Sequence, residues 1–143
     1  MLVDVNLLLY AAIAEYAQHA VARAWLDDAL DRHARVGLPW ESLLGFLRIA
    51  TDSRMLKTPM PVRAGLATMR DWLDHDGVWI PTPGDRHAAI LAGLLEAAGR
   101  GGKLVPDAHL AALAIEHRLT LCSTDGDFAR FPGLRWENPL QRL

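Results

Sequence analysis

Short apolar runs alternate with amphipathic stretches along the chain, and the spacing within each assigns the elements. Met1-Leu2-Val3 reads as a minimal strand that ends in Asp4, and Leu7 to Ala14 follows as a helix. Residues 18 to 32 read as a second helix, with Val21, Ala24, Trp25 and Ala29 on its inward face and Arg23, Asp27 and Asp31 elsewhere. Arg35 to Leu38 is strand-like, and Pro39 precedes an apolar helix from about Trp40 to Thr51. The loop Lys57-Thr58-Pro59-Met60-Pro61 opens another helix, where Val62, Leu66, Met69 and Leu73 keep helical spacing. Val78 to Pro81 is a short strand closed by a Pro81-Thr82-Pro83-Gly84 turn. Residues 85 to 98 give the next helix, with Ile90, Leu91, Leu94 and Leu95 inward. After the loop Gly99-Arg100-Gly101-Gly102-Lys103, Pro106 occupies the first turn of a helix that Leu110, Leu113 and Ala114 continue. Leu119 to Ser123 is a strand, Asp125 to Phe131 a turn with a short helix, and Leu134 to Trp136 a last strand.

Strands that alternate with helices specify an α/β fold with a parallel sheet covered on both faces. In open sheets of that kind, sites form beyond the carboxyl ends of the strands. Four acids take equivalent places by that rule. Asp4 follows the first strand directly, and Asp125 follows the Leu121-Cys122-Ser123 strand after Thr124. Glu41 and Asp107 lie in the first turns of helices, each just after a short extended stretch. Singly, each is explained by capping or by the helix dipole. Capping alone, however, does not require all four elements to end at one place. Carboxylates gathered in one pocket repel, so they must hold protons or bind a cation. Hard oxygen ligands without Cys or His favour Mg²⁺ or Mn²⁺ over zinc. Such an ion on an open edge suits phosphodiester hydrolysis, because it orients water and neutralises charge on the phosphate.

Composition narrows the class. The 143 residues have the size of one domain, spanning 1–143, and 51% apolar against 22% charged residues describes a globular protein. A net charge of -2 and a pI near 6.3 give no chain-wide basic field for nucleic acid, so any such contact must be local. Cys122 is the sole cysteine and lies in the apolar run Leu119-Thr120-Leu121-Cys122, which makes it a buried strand residue in a reducing compartment. The apolar stretch from Leu2 to Ala14 is interrupted by Asp4 and Asn6 and has no Lys or Arg before it, unlike a signal peptide. No segment reaches the roughly 18 apolar residues of a membrane span. The expectation is a soluble, cytoplasmic protein.

Other chemistry is weaker. Among six histidines, His109 and His117 lie on roughly one helix face, but no third ligand has metal-site spacing. Of the five tryptophans, Trp25 and Trp72 sit on apolar helix faces, and Trp40 stands beside Glu41. The loop from Arg100 to Lys103 lacks the spacing of a P-loop, yet it places two cations just before Asp107, where they can meet a phosphate backbone. Arg48, Arg54, Lys57 and Arg63 form a comparable cationic group.

The ordered motifs resemble a known family. Met1-Leu2-Val3-Asp4-Val5-Asn6 looks like the opening D-x-N motif of PIN-domain nucleases. Trp40-Glu41-Ser42 stands at their second acid, Pro106-Asp107-Ala108 matches the third, and Ser123-Thr124-Asp125-Gly126-Asp127-Phe128 resembles their closing [ST]-x-D-x-D-F signature. Order, spacing and length resemble the VapC-type toxins of bacterial toxin–antitoxin pairs across essentially the whole chain.

The resemblance implies a three-layer α/β/α sandwich with a short, mainly parallel sheet and a metal-dependent endoribonuclease. Asp4, Glu41, Asp107 and Asp125 would be the catalytic acids, with Asp4, Asp107 and Asp125 on Mg²⁺ or Mn²⁺. Asn6, Ser123 and Thr124 would orient them, and Asp127 would be auxiliary. Asp125 is expected to be the nearer ligand of the last pair, because it follows the strand more closely and Asp127 can cap the turn before Phe128. The implied partners are a structured RNA such as transfer or ribosomal RNA, a cognate VapB-type antitoxin, and a second copy of the chain. Two rivals stand beside this reading: another metal-dependent phosphoesterase, and a non-catalytic interaction module with a degenerate site. A phosphoacceptor receiver domain is disfavoured by the lone Asp4, and an aspartyl-nucleophile phosphatase by D-x-N in place of D-x-D.

Overall fold

The computed structural model describes residues 1–32 and 35–141; residues 33–34 and 142–143 lie outside the described residues. Among the described residues, five two-residue strands form one sheet: β1 (Leu2–Val3), β2 (Val36–Gly37), β3 (Val78–Trp79), β4 (Leu121–Cys122) and β5 (Trp136–Glu137). They lie in the order β3-β2-β1-β4-β5, and every pairing is parallel. Chain order therefore departs from spatial order at β1, which sits centrally between β2 and β4. In open α/β sheets a crevice opens at such a reversal.

Among the described residues six helices cover the sheet: α1 (Val5–Ala12), α2 (His19–Arg32), α3 (Trp40–Ala50), α4 (Val62–Leu73), α5 (His87–Ala98) and α6 (Leu104–Glu116). Successive strand residues point to opposite faces, which splits each strand between two cores. Val3 and Cys122 enter one core with Leu7, Leu26, Leu43, Phe46 and Trp72 of α1 to α4. Leu2 and Leu121 enter the other, with Leu94, Ala108, Leu113 and Phe128. Phe46 and Trp72 meet edge-to-face at 4.8 Å between centroids, a geometry that contributes about 0.5–1.5 kcal/mol beyond its buried area. The architecture is the three-layer α/β/α sandwich, with α1 to α4 on one face and α5 and α6 on the other.

Several local expectations shift. Helix α1 starts at Val5 and not Leu7, because Asp4 caps it directly, its Oδ1 accepting from the Val5 N–H at 2.8 Å. On α2 the buried residues are Ala22, Leu26, Ala29 and Leu30, while Val21 and Ala24 face outward. In α4, Gly65 and Trp72 are buried and Val62 is 63% exposed, so only part of the anticipated stripe is core. Helix α6 begins at Leu104, two residues before Pro106. The last strand is displaced to Trp136–Glu137, and the Gly126–Arg130 segment is a 3-10 helix. Cys122 is fully buried in β4, as its apolar run required. Among the described residues, no helix is long and apolar enough to cross a membrane.

Candidate functional site at the carboxyl edge of the sheet

Two adjacent parallel strands, β1 and β4, deliver the first part of the site. Their register pairs Leu2 with Leu121 and Val3 with Cys122, so the next residues, Asp4 and Ser123, emerge side by side. The Asp4 N–H donates to the Cys122 carbonyl at 3.0 Å, which carries the pairing one residue past the strand end. The Ser123 hydroxyl is fully buried and donates to Asp4 Oδ2 at 2.7 Å. Asn6, on the first turn of α1, donates from Nδ2 to Asp4 Oδ2 (3.3 Å) and to Ser123 Oγ (3.1 Å). Its Oδ1 accepts from the Thr124 N–H at 3.3 Å. Ser123 Oγ also accepts from the Asp125 N–H at 3.0 Å, and the Trp136 indole donates to the Ser123 carbonyl at 3.1 Å. Asp4, Asn6, Ser123, Thr124 and Asp125 thus form one network.

Electrostatics extends this network to α6. Burial pushes the Asp4 carboxyl above its ordinary value; the Ser123 hydroxyl and Val5 N–H oppose the shift, and the charge of Asp125 adds to it. Asp107 is raised chiefly by burial and then by the charges of Asp125, Asp4 and Asp127, with Arg130 opposing. Like charges near one another disfavour ionisation in this way. The two closing acids separate in role. Asp125 caps the 3-10 helix, its Oδ1 accepting from the Asp127 N–H at 2.9 Å. Asp127 is exposed and pairs with Arg130 at 3.2 Å.

Glu41 stands apart from that group. It lies in the first turn of α3, and its neighbour Ser42, almost fully buried, donates to the Val3 carbonyl at 2.7 Å. This bond ties the start of α3 to the end of β1, beside Asp4. The Glu41 carboxylate meets His109 Nε2 at 3.1 Å, and His109 belongs to α6, two residues after Asp107. Among the described residues, no three His, Cys, Asp or Glu side chains stand close enough together to hold a metal ion as they lie. The donor set fits a hard divalent cation nonetheless: carboxylates only, two of them raised by burial and mutual repulsion.

A cleft of about 320 Å³ adjoins Asp107 and is lined by Arg100, Gly101, Lys103, Leu104, Asp107, Asp127 and Arg130. Gly99 makes the turn into it, closing α5 in the left-handed region at φ 69° where a side chain would be strained. Both anticipated loop cations therefore border the acids. By contrast, Arg54 of the second cationic group folds back onto Asp52 at 3.2 Å. Trp72 is buried and Trp25 half-buried in the first core, and Trp40 is 44% exposed beside Glu41. His117 does not join His109; it caps α6 and donates to the Thr82 carbonyl at 2.7 Å.

Four residues at the site escaped the sequence reading: Ser42, His87, His109 as a partner of Glu41, and Arg130. Ser42 was visible as a hydroxyl in an apolar helix next to Glu41. Arg130 was visible three residues beyond Asp127, at helical ion-pair spacing. The histidines carried no local signal.

Comparison with known proteins identifies the family. The PIN domain family matches residues 1–134. Ribonuclease VapC33 and Ribonuclease VapC37 of Mycobacterium tuberculosis are each 45% identical to the chain over 96% of its length and 96% of theirs. Among solved structures, VapBC2 from Rickettsia felis bound to a DNA fragment from their promoter superposes with a TM-score of 0.69 at 17% identity, covering 96% of both chains. That likeness speaks for the fold, and the family match and the identity to the mycobacterial proteins go further: this chain is a PIN-domain protein of the VapC type.

Proposed function

We propose that the protein is the endoribonuclease toxin of a bacterial toxin–antitoxin pair, cutting structured RNA such as transfer or ribosomal RNA with Mg²⁺ or Mn²⁺ held by Asp4, Asp107 and Asp125. The observation that carries this reading is the pinned Asp4–Ser123–Asn6–Asp125 network, with Asp107 in the same electrostatic field. The ribonuclease names of the mycobacterial relatives support RNA as substrate. The paired proteins of the Rickettsia felis structure support an antitoxin partner.

The chain's own residues divide the work. Asp4 Oδ2 is occupied by Ser123 and Asn6, and Oδ1 by one N–H, so Oδ1 keeps a lone pair for a cation. No hydrogen bond holds the Asp107 carboxylate among the described residues, which leaves both of its oxygens available. Glu41, hydrogen-bonded at one oxygen, retains the other to orient or accept a proton from water. When bound, the ion would neutralise charge on the scissile phosphate and lower the pKa of a water beside it. Arg100, Lys103 and Arg130 would hold the flanking phosphates in the adjoining cleft. Exposed Leu44, Met55 and Val62 on α3, the following loop and α4 support a homodimer, which light scattering of the purified protein tests.

RNA cleavage by the purified protein in Mn²⁺, in EDTA, and with Asp4→Asn is the direct test. Activity should fall by orders of magnitude in EDTA and in the variant. Equal rates with and without chelator would end the metal reading. A one-to-one complex with the antitoxin should cleave far more slowly than the protein alone.

A further inference from the structure

Behind Glu41 runs a row of polar side chains that the reaction outlined above does not use. His109 Nε2 lies 3.1 Å from Glu41 Oε1, and His109 Nδ1 lies 2.9 Å from His87 Nε2. His87 is almost fully buried at the start of α5, and its Nδ1 has no hydrogen-bond partner. Beyond it, 3.9 Å away, stands Oε1 of Glu116, at the end of α6. The Glu116 carboxylate is itself clamped: Oε1 accepts from the Gly84 N–H at 2.7 Å and Oε2 from the Arg86 N–H at 3.0 Å. It sits so close to Gly84 that a Cβ there would fall 2.7 Å from Oε2, so any other residue would require the carboxylate to shift.

Two imidazole nitrogens in hydrogen-bond contact share a single hydrogen, and this orders the row. An ionised carboxylate only accepts, so a stable His109–Glu41 contact requires the hydrogen on His109 Nε2. A neutral His109 with its hydrogen on Nδ1 would set a bare nitrogen against the carboxylate. A hydrogen on His87 Nε2, donated to His109 Nδ1, rules that form out. The two rings meet edge-to-face, 4.8 Å between centroids and 71° apart, which also limits rotation of His109. His109 is thereby held on both sides, and Glu41, 45% exposed at its side chain, gains a fixed partner that α3 alone does not supply.

We propose that His109 is a positioning residue for Glu41, with the His87 ring selecting the Nε2–H form of His109 that holds the Glu41 carboxylate at the mouth of the site. The inference rests on Glu41 serving the cleavage reaction proposed above. His109 needs no contact with RNA or metal for this role. It acts through the carboxylate, as residues behind metal and catalytic ligands commonly do, where their loss costs about 10- to 100-fold in affinity or activity.

The test uses the full chain with Mn²⁺ and a cleavable RNA, and an independent readout by ¹⁵N spectroscopy of the imidazoles without substrate. His109→Ala should lower kcat about 10- to 100-fold with KM for RNA unchanged within twofold. His109→Gln, which places an amide N–H near the same point, should recover most of that loss. Glu41→Gln and the double variant with His109→Ala should cleave at the same rate, because one effect contains the other. In the wild type, His109 Nε2 should carry a hydrogen. His87→Phe keeps the ring packing but removes the donor, and should shift part of His109 to the Nδ1–H form. A kcat for His109→Ala within twofold of wild type, multiplicative losses in the double variant, or a bare Nε2 on His109 would each overturn the proposal. Asp4→Asn separates the two levels. If Asp4→Asn is inactive while His109→Ala is fully active, only the positioning role falls. If Asp4→Asn cleaves normally, the ribonuclease site itself is wrong, and the ¹⁵N result still reports on the His109–Glu41 bond.

Discussion

The Ser123 hydroxyl donates to Asp4 Oδ2 at 2.7 Å, and its direction is set from behind. Two donors, Asn6 Nδ2 at 3.1 Å and the Asp125 N–H at 3.0 Å, occupy the lone pairs of the same oxygen. With both lone pairs engaged, the single hydroxyl hydrogen points to Asp4. One buried side chain thus couples the ends of β1 and β4 and fixes the carboxylate that the sequence places first.

Ser123→Ala removes this coupling, strands the part-buried Asp125 N–H, and leaves Asp4 Oδ2 with the longer 3.3 Å bond from Asn6 alone. A buried polar group left without a partner costs about 1–3 kcal/mol. Urea denaturation should show a loss in that range, together with a lower cleavage rate. A change under about 0.5 kcal/mol, as for an ordinary surface substitution, would remove Ser123 from the framework of the site.

Asp107→Asn should not destabilise the metal-free protein, because no hydrogen bond holds that carboxylate among the described residues. Its pKa in the folded state lies above the ordinary 3.8, raised first by burial and then by Asp125, Asp4 and Asp127. For an acid raised on folding, the stabilising contribution is fully present below the ordinary value and is lost as pH rises through the raised one. Thermal melts in EDTA should therefore show the variant gaining on wild type as pH increases from below 3.8 toward neutrality. The opposite trend would mean that Asp107 is a structural cap and feels no neighbouring charge.

Mn²⁺ should raise the melting midpoint of the wild type, since an ion that binds only the folded state stabilises it by mass action. The gain is roughly 2.7 kcal/mol at a hundredfold excess over Kd. Asp107→Asn and Asp4→Asn should each show a smaller rise. If calorimetry finds equal shifts in all three proteins, the ion binds elsewhere.

Arg100→Ala and Lys103→Ala should weaken RNA binding without altering the rate at saturating RNA, because both line the cleft beside Asp107 and, among the described residues, neither forms an ion pair with the acids of the network. Each lost phosphate contact should also lower the salt slope of binding by roughly 0.7 for single-stranded RNA. Arg130→Ala differs, since it also releases the Asp127 carboxylate, and it should change kcat as well as KM. A full-strength salt slope in the Arg100/Lys103 double variant would move the RNA path away from this cleft.

Much of this was legible along the chain. Element identity and order follow from apolar periodicity, and the strand-end rule alone puts Asp4 and Asp125 at one edge of the sheet. Both inferences depend only on local spacing and on the parallel sheet. Helix α2 was harder: Val21 and Ala22 are adjacent in sequence and similarly apolar, and only packing against α1 decided that Ala22, Leu26 and Leu30 turn inward. The start of α1 was misplaced because Asp4 has a second local role, as a cap, that spacing of apolar residues does not register. The Glu41–His109–His87–Glu116 row lay beyond any reading of the sequence. Its members come from α3, α5 and α6, with Glu41, His87 and His109 tens of residues apart, and they meet only because α5 and α6 pack together and α3 is anchored to β1 through Ser42. Local pattern records what each segment needs to bury; which polar groups then face one another is set by how the buried faces dock, and that is a property of the folded chain alone.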